Sequence, residues 1–245
     1  MFYLKKNKKR MLALCLSAAL SVGSLTVYAA TEQWNDASLT PAFTTKTAVS
    51  EHTDWADWKA NWDKIKTNYE QVALIPGSDF SKLNFGWYSK EKTDKAMVRI
   101  ADNKDMKNAK EFKGTCTEGT VINGVQYYSN KVTADGFKPN STYYYQVKLN
   151  GEWQQAQEYK TGDPDNFSFM FVGDPQIGAS TGQIKGENKE YFAMNDSYNW
   201  YHTLNNAVSK FPDLSFIMSA GDQINQSSVS KDADKLEQQI EYAGF

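Results

Sequence analysis

Phe167-Ser168-Phe169-Met170-Phe171-Val172-Gly173-Asp174-Pro175-Gln176 is an apolar run of buried-strand character that ends in a carboxylate and, two residues later, a carboxamide. The pattern recurs in Leu214-Ser215-Phe216-Ile217-Met218-Ser219-Ala220-Gly221-Asp222. Between the two lie a polar, Gly-containing loop and a segment with Trp200, Leu204, Val208 and Phe211 at helical spacing, which predicts a helix over about 196–211 that stops before Pro212. A strand-helix-strand unit brings its strands parallel. Both acids then reach the carboxyl edge of one sheet, where open α/β sheets bind their ligands.

Asp174, Gln176, Asp222 and Asn225 are all oxygen donors placed where a strand runs into a loop, and each Asp follows a glycine, Gly173 or Gly221, that permits a tight turn. Two cations held roughly 3.5–4 Å apart need a carboxylate that bridges them and offsets their repulsion; such a pair clamps a phosphoryl group and turns bound water into hydroxide near neutral pH. Asp174 suits the first ion and Asp222 the bridge. The expected substrate class is therefore a phosphoester.

Upstream of this unit the hydrophobic period is two. Leu83–Ser89, Ala96–Ile100, Gln126–Val132 and Thr142–Leu149 read as short strands, with hairpin signals at Asn123-Gly124 and Asn150-Gly151. Regular short strands over this length predict a β-sandwich at 70–163, followed by the α/β unit at 164–245. Earlier still, Asp54 can cap a helix that carries Trp55, Trp58, Trp62, Ile65 and Tyr69 along one face, within an extension at 30–69. Such a stripe is expected to be packing surface.

The first residues have the order of a secretory signal at 1–29: a basic region with Lys5, Lys6, Lys8, Lys9 and Arg10, an apolar run from Met11 to Val22, and small residues about Ala29. The run is broken by Ser17, Ser21, Gly23 and Ser24, so cleavage is favoured over a membrane anchor and the location is secreted or extracytoplasmic. Cleavage leaves Cys116 as the one cysteine and no internal disulfide. A formal net charge of -2 without a basic stripe beyond the leader excludes a nucleic-acid partner bound through its phosphates.

At Gly173-Asp174-Pro175-Gln176 and Gly221-Asp222-Gln223-Ile224-Asn225 the chain resembles the calcineurin-like metallophosphoesterases. Ala134–Tyr145, with Phe137 and Pro139 before a Tyr-rich strand, resembles the corresponding turn and strand of fibronectin type III domains. A fibronectin-like sandwich directly before the first Asp motif, in an exported chain, is similar to the purple acid phosphatases in particular. The resemblance implies two divalent or trivalent metal ions (Fe, Zn or Mn) in the complete domain, with Asp174 on one, Asp222 on both, and Gln176 and Asn225 assisting.

Three departures accompany it. Gln176 stands where the family has His, and a carboxamide oxygen is a weaker, neutral donor. Asn225 stands where purple acid phosphatases have the metal-binding Tyr. The later histidine motifs of the family are missing: the chain has only His52 and His202, neither in such a context. With 245 residues ending in Ala243-Gly244-Phe245 within an apparent helix, the sequence reads as the N-terminal part of the family's domain and is expected to be inactive alone. The rival reading is a secreted fibronectin-like module that binds carbohydrate or cell surfaces through its Trp and Tyr residues.

Overall fold

The computed structural model describes residues 54–245 with the exception of Ile184. The expected leader, most of the extension that follows it, and His52 lie outside the described residues. Two units divide the chain: Ala56–Thr181 with Glu187–Phe245, and Met1–Trp55 with Gly182–Gly186. Described residues of the second unit are Asp54, Trp55, Gly182, Gln183, Lys185 and Gly186, all in turns and bends except Trp55, which opens a helix. The elements below otherwise belong to the first unit.

Nine strands build a β-sandwich. They are β1 (Ala73–Pro76), β2 (Lys82–Ser89), β3 (Met97–Ala101), β4 (Lys110–Lys113), β5 (Thr115–Ile122), β6 (Val125–Asp135), β7 (Thr142–Leu149), β8 (Glu152–Trp153) and β9 (Gln157–Lys160). One sheet runs β1-β2-β6-β5; the other runs β4-β3-β7, with β8 and β9 sharing the far side of β7. Alternation drives the packing, since successive side chains on a strand point to opposite faces. On β2, Leu83, Phe85 and Trp87 turn inward; on β3, Val98 and Ile100; on β6, Val132 and Ala134. Phe137 and Val147 complete the core.

Asn123-Gly124 and Asn150-Gly151 make the two expected hairpin turns, joining Ile122 to Val125 and Leu149 to Glu152. All four residues have positive φ, which Asn and Gly tolerate and which matches the right-handed twist of the flanking strands. The tyrosines of β7 serve the sandwich. Tyr145 meets Phe85 edge-on at 5.3 Å and Tyr143 meets Phe137 at 4.9 Å, while the Tyr143 hydroxyl accepts the Lys138 amide at 2.9 Å and fixes the turn before β7. Cys116 is free and half-buried.

The second region holds β10 (Ser168–Val172) and β11 (Leu214–Ser219), paired in parallel and connected by an α-helix over Lys189–Lys210. With the helix at Trp55–Ile65 as α1, this one is α2, and Asp232–Gly244 forms α3. Among the described residues no helix is long and apolar enough to cross a membrane.

Two expectations need correction here. Helix α2 begins at Lys189 and not near 196, because the Asn188 side chain caps it by accepting the Tyr191 amide at 2.9 Å. Its buried residues are Phe192, Ala193, Met194, Ser197 and Tyr198, whereas Val208 and Phe211 of the expected face are exposed. Burial follows the partners. α1 lies against the first half of α2, with Trp58 donating to the Met194 carbonyl at 3.2 Å and meeting the Tyr198 ring at 5.7 Å. Trp62 donates to Glu190 at 3.2 Å, and Lys66 pairs with the same carboxylate at 2.6 Å. The tryptophan stripe of α1 is thus a packing surface, although the helix stops at Ile65, and Tyr69 turns to Tyr127 of the sandwich instead.

Candidate metal centre

The loops that leave β10 and β11 do not separate. Their backbones continue the parallel ladder: Ala220 donates to the Val172 carbonyl at 2.7 Å, Asp174 to Gly221 at 3.2 Å, Gln176 to Asp222 at 2.9 Å and Ile177 to Gln223 at 3.1 Å. Asn225 closes the series by donating to the Ile177 carbonyl at 3.0 Å. Ile177 and Ile224, an isolated parallel bridge pair, are buried and anchor the two loops from below. Asp174, Asp222 and Asn225 remain exposed, and Gln176 is half-buried.

Backbone conformation sets where these side chains project. Asp174, Gln176 and Asp222 have φ of 58°, 34° and 50°, in the left-handed region that residues with a Cβ seldom occupy. Asp accepts it at low cost; Gln does so less readily. Gly221 at φ 107° supplies the turn directly before Asp222. The Asp174 and Asp222 carboxylates take no hydrogen bond or ion pair from the described residues and keep their lone pairs for a cation or water.

Two carboxylates from the interior of the second region hold these loops. Asp196 of α2 accepts the Gly178 amide at 2.9 Å, the Ser180 amide at 3.2 Å and the Ser180 hydroxyl at 2.6 Å, so the turn after Gln176 is tied to the helix. Burial pushes its carboxyl pKa up against the pull of these donors. Glu241 of α3, 2% exposed, accepts the Gln226 amide at 2.6 Å. Burial pushes its pKa from the usual carboxylate range up to about 7. Gly178 sits against both acids: at φ 98° its amide serves Asp196, and a Cβ there would overlap the Glu241 carboxylate.

Sequence pattern did not single out Asp196 or Glu241. The available signal was an acid inside an apolar helical stretch, Phe192-Ala193-Met194-Asn195-Asp196, which a solvent-facing role does not explain. The structure brings Asp174, Gln176 and Asp222 onto adjoining, hydrogen-bonded loops, with Asn225 at the end of the second. His202 lies elsewhere, on α2 against the Tyr198 ring at 4.4 Å.

The donor set is two carboxylates and two carboxamides. Among the described residues no three His, Cys, Asp or Glu side chains gather as they would around a metal ion. Hard oxygen donors of this kind fit one divalent cation that keeps several waters. They are too few to enclose two cations, and among the described residues no imidazole joins them.

Residues 69–161 match the family described as purple acid phosphatase, N-terminal domain. Among solved structures the chain is similar to a purple acid phosphatase isolated from yellow lupin (Lupinus luteus) seeds, at 14% identity and a TM-score of 0.44. That match covers 69% of this chain and 32% of the lupin one, so the chain spans about a third of that protein's length. No curated protein matches. The sandwich that precedes the paired loops is therefore similar, over residues 69–161, to the N-terminal domain of the purple acid phosphatases.

Proposed function

We propose that this chain carries the first metal-binding half of an exported phosphoesterase, with residues 164–245 as the N-terminal part of a metallophosphoesterase domain. The observation that supports this reading is the continued ladder between the two loops that carry Asp174 and Asp222, whose backbones adjoin beyond the carboxyl ends of two parallel strands. Asp174, Asp222, Gln176 and Asn225 would hold the cation. When bound, a metal of this kind lowers the pKa of its water and polarises a phosphoryl oxygen. The chain's own part is to aim two exposed carboxylates from a fixed backbone, so that little conformational freedom is lost when a cation arrives.

A complete centre of this class works with two ions of Fe, Zn or Mn on a phosphoester, and calls for donors beyond these four. The four residues alone are expected to bind a cation weakly and not to turn over substrate. Titration calorimetry with Mn²⁺ tests the site. Asp222→Asn and Asp174→Ala should each weaken binding at least tenfold while the melting temperature in chelator holds. Unchanged affinity in both variants would overturn the assignment.

A further inference from the structure

Each ligand loop is held by one carboxylate delivered from a different helix, half-buried Asp196 from α2 and buried Glu241 from α3, and the two acids meet at a single glycine. On the β10 side, Asp196 collects the Gly178 and Ser180 donors just past Gln176. On the β11 side, Glu241 accepts the Gln226 amide, one residue past Asn225 at the end of the second loop. α2 and α3 are themselves fastened together. Lys189 pairs with Glu237 at 2.7 Å, Gly244 lies close against Ser197, and the Phe245 ring stacks on Trp200 at 5.7 Å. Moving either helix therefore moves a ligand loop.

We infer that Asp196 and Glu241 are positioning residues of the metal centre, a pair of carboxylate clamps that set the spacing of the Asp174–Gln176 and Asp222–Asn225 loops through Gly178. The inference rests on the metal-centre reading above. A carboxyl group that accepts several donors at once, as Asp196 does, or a backbone amide from inside the fold, as Glu241 does, fixes a loop more firmly than solvent can. Outer partners of this kind orient the groups that touch the metal, and their loss typically costs roughly 10–100-fold in metal affinity. The clamps supply no donor to the cation.

The test compares Mn²⁺ affinity with stability in the same chain. Glu241→Ala is expected to weaken Mn²⁺ binding by roughly 10–100-fold in protein that is folded by circular dichroism. Glu241→Gln keeps an acceptor oxygen and should recover most of the affinity. A purely structural role predicts something else, a lower melting temperature with unchanged Mn²⁺ affinity of the folded chain, and that result would overturn the inference. Should Glu241→Ala fail to fold, Asp196→Ala releases the other loop and carries the same expectation and the same overturning result. Asp174→Ala separates the two levels. If it loses binding while the clamp variants keep it, only the clamps are refuted; if parent and Asp174→Ala behave alike, the metal reading falls and the clamps with it.

Discussion

Gly178 is the residue on which the second region turns. Its left-handed φ and its contact with Glu241 each favour the absence of a side chain, while its amide holds Asp196. Gly178→Ala places a methyl group against a buried carboxylate and holds an L-residue in a conformation that costs of order 1–3 kcal/mol on its own. The variant is expected to lose at least that much stability in urea unfolding, and no loss would show that the Glu241 side chain can move aside. The placement of Asp174 and Asp222 just past two parallel strands was legible in the sequence because a strand pattern followed by Gly-Asp is a local signal. Asp196 and Glu241 were not, since their role depends on two helices meeting loops that lie far away along the chain. Gln176 shows both sides: its position was readable, its φ of 34° was not.

Among the elements, hairpins were the most readable, because Asn123-Gly124 and Asn150-Gly151 carry their own turn chemistry. Strands β1, β4, β5, β8 and β9 escaped notice. Lys110-Glu111-Phe112-Lys113 and Gln157-Glu158-Tyr159-Lys160 lie at sheet edges, where polar side chains are allowed and pairing with β3 or β7 decides the conformation. β10 and β11 were recognised from apolar runs that imply cover on both faces, yet Phe169, Phe171, Ile217 and Met218 are exposed at 45–65%. Phe169 stacks on Phe216 at 5.1 Å, which shields one face only in part. The isolated chain is expected to self-associate as concentration rises. Phe171→Lys should shift sedimentation toward monomer without lowering the melting temperature; an unchanged distribution would place the sticky surface elsewhere.

At the scale of the whole molecule, the two clamps make stability depend on pH. Glu241 has a pKa of about 7 in the folded chain against an ordinary 4.5, raised chiefly by burial, with Glu237 adding to the shift and Lys189 opposing it. The folded state therefore holds a proton that the unfolded state releases, and this contribution is full below about 4.5 and lost as pH rises through about 7. Exposed Asp79 and half-buried Asp234, whose pKa values are lowered chiefly by hydrogen bonds from Ser81 and Ser230, act in the opposite sense. The difference between variants isolates the buried group: in chelator, between pH 5 and 7.5, the melting temperature of the parent should fall relative to that of Glu241→Gln. Parallel curves would show that Glu241 does not titrate in this range. The arrangement of β10 and β11 also sets an order in time. A two-residue hairpin such as the one between β5 and β6 closes within about 1–10 μs, whereas a parallel pair gains no rung until its crossover has brought distant segments together. Asp174 leaves the ribosome before Asp222, so the nascent chain carries the strands of the sandwich while β10 and its loop wait, unpaired, for the rest of α2 and β11 to be synthesised.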